Sequence, residues 1–210
     1  MKFVECDEVE EAIDASADGK NTKFLKASHS LWKRFHNYEK QLPIGLQVDD
    51  TIVALIFATF NRDKYTNLYE IVTLQGHEGK GYASKLWSEY IYFAVNEKGS
   101  ERLKISCTPS SITWHIRNGL IFWAIDPSGS LRSDQKLFDT REKQIAYRNE
   151  VLGNPTQALP PNTKVKERLM AESINKHGFG VKKTKEIEQA ISNVGTAWLR
   201  DSLFAYNKLF

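Results

Sequence analysis

Residues Leu68 to Leu74 make a short apolar, β-branched run interrupted by Glu70, and a glycine-rich loop joins them to a stretch with apolar residues at Leu86, Tyr90, Phe93 and Ala94. The first pattern is that of a strand and the second that of an amphipathic helix. Between them stands Glu78-Gly79-Lys80-Gly81-Tyr82-Ala83-Ser84-Lys85. Glycine at 79 and 81 lets the backbone approach a ligand closely. The amides that open the helix, at its positive dipole end, suit an anion such as a pyrophosphate. For the loop by itself, a glycine-rich surface turn is the plainer reading.

Spacing excludes two common nucleotide loops. A P-loop needs four residues between its first glycine and a Gly-Lys pair that is followed by Ser or Thr, whereas Gly76 and Gly79-Lys80 have two between them and Gly81 follows. The dinucleotide fingerprint fails as well, because Ala83-Ser84 is followed by Lys85 where a glycine is required.

A second segment narrows the choice. After the strand-like Leu103 to Ser106 comes Thr108-Pro109-Ser110-Ser111-Ile112-Thr113-Trp114-His115-Ile116-Arg117-Asn118-Gly119-Leu120, read as a short helix over 112–117 with Asn118-Gly119 as its left-handed stop. The two segments together resemble the two signatures of the GNAT superfamily of N-acetyltransferases. The first, Arg or Gln, two residues, Gly, one residue, Gly or Ala, falls on Glu78, Gly81 and Ala83. The second, Asn-Pro-Ala-Ala, three residues, Tyr, two residues, Asn-Gly-Phe, falls at the same spacing, with Pro109, Asn118 and Gly119 matching outright. Glu78 departs from the usual cation or amide and would bring a carboxylate near a pyrophosphate unless its side chain turns outward. Thr108 replaces an asparagine that often contacts the pantetheine arm, and His115 replaces the usual tyrosine.

The resemblance implies an α/β (α+β) fold, a central mixed sheet of about six to seven strands flanked by helices, over residues 1–139. The remainder, 140–210, is expected as a helical C-terminal extension. The coarse pattern agrees: strands at 2–6, 44–48, 51–60, 68–74, 103–107, 120–125 and 136–139, helices at 8–15, 26–40 and 111–118, and the loop with its helix at 78–98. Beyond residue 140, 141–152 and 164–176 look helical around a linker with three prolines, and Ile187, Ile191, Val194 and Trp198 form a stripe that needs a surface to cover it. That surface is the core of this chain or a protein partner.

With 41% hydrophobic and 11% aromatic residues the chain can build a core, and a net charge of +3 is too small to imply nucleic acid. The longest apolar run, Ile52 to Phe60, is about half of a membrane span, and the acidic start has no signal-like region, so a cytoplasmic protein without membrane contact is expected. Two cysteines, Cys6 and Cys107, and five scattered histidines show no metal spacing, and buried free thiols with no metal are expected.

The resemblance implies attack of an amine on the thioester of acetyl-CoA, the expected acyl donor. The site must then take a proton from an ammonium, stabilise an oxyanion and protonate a thiolate. Glu70 is the expected base, an acid within an apolar strand whose period of two places it with Leu68, Val72 and Leu74. His115 is the expected acid, an imidazolium titrating near 6.5. The oxyanion donor is expected in the backbone near Leu74 or Gln75. The coenzyme is expected against Leu74, Gln75, Glu78, Gly79, Lys80, Gly81, Tyr82, Ala83, Ser84, Thr108 and Ser111. The amine acceptor is of unknown class. Two other readings stay open: a GNAT-derived binding module that has lost turnover, and an acyltransferase on nucleic acid guided by Lys182, Lys183 and Lys185.

Overall fold

A computed structural model describes residues 1–36, 41–107, 111–121, 124–125 and 131–153. Thr108, the proline-containing linker, the helices expected at 164–176 and after 187, and the lysine cluster at 182–185 lie outside the described residues. The chain is organised as two compact units, Met1–Glu101 and a second beginning at Arg102.

The first unit is built on an antiparallel run of strands β1 (Lys2–Phe3), β2 (Ile44–Val48), β3 (Thr51–Phe60) and β4 (Tyr65–Thr73). Helices α1 (Cys6–Ala15) and α2 (Lys20–Phe35) cover one face, where Val9, Ala12, Ile13, Leu25 and Trp32 pack with Leu55, Phe57, Val72 and Leu74. Helix α3 (Tyr82–Asn96) belongs to the opposite face, where Tyr90 and Phe93 meet Phe60 and the Tyr90 hydroxyl bonds Thr66 Oγ1 at 2.5 Å. Because both faces are covered, β3 is buried without interruption from Ile52 to Thr59, which is why its sequence is apolar throughout rather than alternating. Asp49 and Asp50, both at positive φ, close the β2–β3 hairpin.

Differences from the expected boundaries lie at element ends. The first strand stops at Phe3 because Cys6 already opens α1, where Glu5 and Glu8 form a capping box. Helix α2 starts at Lys20, earlier than its apolar pattern begins, directly after Gly19.

In the second unit β5 (Arg102–Cys107) pairs antiparallel with β7 (Leu131–Lys136), which also carries β6 (Ala124–Ile125). The strand expected at 136–139 therefore lies earlier, ending at Lys136; its polar sequence, Leu-Arg-Ser-Asp-Gln-Lys, hid it. Helices α4 (Ile112–Arg117) and α5 (Arg141–Gly153) are the unit's helices among the described residues. Buried Gln135 and Gln144 organise the turn after α4. Gln135 accepts from Ile121 N at 2.7 Å and donates to Gly119 O at 3.2 Å, while Gln144 accepts from Phe138 N at 3.0 Å. Arg141 Nε donates to Asn118 Oδ1 at 2.7 Å, so α5 is bound to residues well before position 139.

Gly119 has φ +86°, and a Cβ there would stand 2.6 Å from the backbone carbon of Gln144. Neither the left-handed conformation nor the space admits a side chain. Gly119→Ala is expected to destabilise the protein by about 3 kcal/mol or more, read as a loss of urea midpoint at unchanged slope.

Candidate active site

The loop after β4 has the form its glycines predict. Gly76, Gly79 and Gly81 all have positive φ, of 88°, 76° and 79°, and a Cβ at any of them would meet nothing within 4 Å. Gly81 is the residue that precedes α3, and the first bond of the helix runs from Lys85 N to Gly81 O at 3.0 Å. The amides of Tyr82, Ala83 and Ser84 therefore lie ahead of the hydrogen-bond ladder, at the positive end of a 15-residue helix. Lys80, Gly81 and Lys85 are exposed beside them. An open glycine backbone, helix-start amides ahead of the hydrogen-bond ladder and two lysines fit a diphosphate.

Glu78, the residue that departs from the family pattern, is tied back onto the protein. Its Oε2 accepts from Gly76 N at 2.7 Å and its Oε1 from Asn21 Nδ2 at 3.1 Å. The same Asn21 amide donates to Thr73 O at 2.8 Å, and Asn21 N approaches Gln75 Oε1 at 3.3 Å. Gly19, at the start of α2, leaves the space that the Gln75 side chain fills, since a Cβ there would lie 2.2 Å from Gln75 Oε1. Asn21 thus clamps the end of β4 and the loop to the first turn of α2. Sequence reasoning missed it, because nothing in the local pattern links position 21 to residues 52 to 57 places later. Asn21→Ala leaves two acceptors without a donor and should cost about 1 kcal/mol of stability. It should also weaken coenzyme binding about tenfold by loosening the loop, both measurable by thermal melting and calorimetric titration.

Glu70 does not stand where a strict period of two would put it. Phe57 pairs with Glu70 and Ala58 with Leu68, so Tyr69 is an extra residue, a β-bulge in β4. Before the bulge, Thr66 faces α3 through its bond to Tyr90, and Leu68 shares that face. After it, Glu70 pairs with Phe57 on the face of α1 and α2, together with Val72 and Leu74. The expectation that Leu68 and Glu70 share a face is therefore corrected: the bulge reverses the alternation between them. Its result is an acid set among aromatic rings. Trp32 lies 5.4 Å from Phe57 and 5.8 Å from Tyr69, and His36 lies 5.0 Å from Tyr69. Burial pushes the Glu70 carboxyl up from 4.5 to about 7.

Of the two amides expected to meet an oxyanion, Leu74 N is committed to Val53 O at 2.9 Å. Val53 is itself the extra residue of a bulge in β3, opposite Leu46 and Gln47 of β2. The Gln75 amide has no acceptor among the described residues and remains the candidate. A cleft of about 270 Å³ opens beside it, lined by Leu74, Gln75, His77, Ala12, Ser16 and Ile52 among others.

His115 belongs to the second unit and is 4% exposed within α4, edge-on to Trp114 at 5.0 Å. Burial lowers its pKa to about 4, so the imidazole is neutral at pH 7 and the expected imidazolium is not the form present. Trp114 is half-buried. The folded state resists the protonation that an unfolded histidine accepts near 6.5, so this group lowers stability as pH falls from 6.5 toward 4. His115→Asn should flatten that decline in melting temperature. Ser111 O receives the amides of Trp114 and His115 at the start of α4. Of the two cysteines, Cys107 is buried with its thiol pushed up to about 12, as a buried free thiol should be. Cys6 is only half-buried, because it faces out between α1 and α2 beside Glu10 and His29.

Residues 9–115 match the family model described as the acetyltransferase (GNAT) family. No curated protein sequence matches the chain. Among solved structures, the PaiA N-acetyltransferase from Thermoplasma acidophilum in complex with coenzyme A is similar at 11% identity and TM-score 0.50, over 64% of this chain and 96% of that one. A spermidine N-acetyltransferase chimera of Vibrio cholerae SpeG and hSSAT is similar at 9% identity and TM-score 0.48, over 69% of this chain and 98% of the other. The first of these likenesses extends to the fold. Among the described residues no helix is long and apolar enough to cross a membrane.

Proposed function

The chain belongs to the acetyltransferase (GNAT) family, and from that premise we propose that it transfers an acetyl group from acetyl-CoA to an amine, with Glu70 as general base. The observation that carries the reading is the Glu70 carboxyl, moved by a bulge onto an aromatic-lined face and raised to about 7. A carboxylate in that range takes a proton from an ammonium at neutral pH without binding it permanently.

Acetyl-CoA supplies the activated carbonyl when bound. The chain supplies the rest. The backbone of Gly79 and Gly81, the amides of Tyr82, Ala83 and Ser84, and the charges of Lys80 and Lys85 hold the diphosphate. Glu78 serves the loop's shape rather than the ligand, since both carboxylate oxygens are bound within the fold. The Gln75 amide is the donor for the carbonyl oxygen, with Leu74 fixing the chain beside it through Val53. Trp32, Tyr69 and His36 give the acceptor amine an aromatic wall next to the base. His115, neutral and buried, acts through position and packing rather than as a charged acid. Ser111 and Thr108 remain part of the proposed coenzyme contact, and residues 1–139 the proposed catalytic domain.

The test is calorimetric titration of the purified protein with acetyl-CoA and with CoA. Micromolar binding of both, followed by acetyl transfer to a panel of amines detected as free thiol, supports the reading. A folded sample free of copurified CoA that binds neither rejects it.

A further inference from the structure

Cys6 and Glu10 are one turn apart on α1, and His29 reaches them from the middle of α2. Their ligand atoms form a compact triangle: Cys6 Sγ to His29 Nε2 is 3.9 Å, Cys6 Sγ to Glu10 Oε1 is 3.8 Å, and His29 Nε2 to Glu10 Oε1 is 3.3 Å. We propose that Cys6, Glu10 and His29 bind a zinc ion that ties α1 to α2.

Zinc takes thiolate at about 2.3 Å and imidazole or carboxylate at about 2.0 Å in a tetrahedral arrangement. Those bond lengths place the ligand atoms roughly 3.3 to 3.6 Å apart, so the observed triangle needs only a few tenths of an ångström of contraction. A thiolate, an imidazole and a carboxylate together favour zinc over magnesium or calcium, which prefer oxygen alone. Glu10 is 47% exposed, which gives the ion a way in and leaves a fourth position for water. His29 is almost buried and fixes the inner corner.

One group competes. Lys33 Nζ lies 2.7 Å from the same Glu10 oxygen, and its side chain is 49% exposed, free to swing into solvent when the metal arrives. Zinc binding would release the Cys6 thiol proton to solvent and replace the ammonium charge at Glu10. The sequence conceals the site, because Cys6 and His29 are 23 positions apart on different helices.

The experiment is titration of the full chain, stripped by a chelator, with cobalt as a spectroscopic stand-in, followed by displacement with zinc. One equivalent should bind with a Kd on the order of micromolar. It should give a thiolate-to-cobalt charge-transfer band and a visible spectrum of tetrahedral intensity, both lost on adding zinc. Cys6→Ser should abolish the band, Cys107→Ser should leave it intact, and His29→Gln and Glu10→Gln should each weaken binding at least tenfold. Lys33→Ala, which removes the competing cation, should tighten it. Circular dichroism of each variant separates lost ligation from lost folding. Absence of the band in the parent protein, or its survival in a folded Cys6→Ser variant, overturns the proposal.

Discussion

Glu70→Gln should lower kcat by about a hundredfold to a thousandfold, the usual contribution of a positioned general base, while the folded state becomes more stable at pH 8. The two effects share one origin. Burial raises the carboxyl from 4.5 to about 7, so between those values the folded protein holds a proton that the unfolded chain has released. Stability associated with this group is therefore full below about 4.5 and is lost as pH rises toward 7 and beyond. Glutamine has no such proton. The melting temperature of Glu70→Gln should exceed that of the parent at pH 8, and the gap should close by pH 4. Activity runs the other way. In the parent, kcat/KM rises with pH through about 7 as the base ionises, and the variant should lack that limb. A variant that keeps the pH limb would assign the base to another group. A variant that loses activity and melting temperature together at pH 8 would make Glu70 a structural residue.

How much of this was legible in the sequence depends on the range over which each feature is encoded. The glycine loop was, because Gly79 and Gly81 act through their own φ angles and α3 through its own periodicity. Strand β3 was, because burial on both faces writes itself as an unbroken apolar run. Glu70 was legible as an anomaly but not as a geometry. Its face depends on the extra residue Tyr69, and a bulge leaves the composition of a strand unchanged while reversing its alternation. The commitment of the Leu74 amide to Val53, and the clamp by Asn21, are contacts between distant segments with no local signature. Strand β7 was displaced for a related reason: its buried Ser133 and Gln135 are hydrogen-bonded inside the unit, so burial there does not appear as hydrophobicity.

Gly81→Arg should remove coenzyme affinity by at least a hundredfold, about 2.7 kcal/mol, in a protein that still folds. Gly81 sits at φ +79° immediately before α3, with open space around the position of a Cβ. An L-residue there loses about 1–2 kcal/mol to the left-handed conformation but meets no atom of the fold. In the proposed site that open space is the phosphate cradle, so the arginine side chain would crowd the helix-start amides expected to meet a diphosphate. Its positive charge does not compensate, because the backbone donors act only on a ligand that can reach them. Gly81→Ala separates the two contributions. It carries the same backbone strain without the long side chain, and should show the same fall in melting temperature with a much smaller loss of binding. If alanine and arginine weaken binding equally, the loss comes from backbone distortion. If arginine leaves affinity unchanged, the loop between β4 and α3 is not the phosphate cradle, and the acyl donor must be held elsewhere.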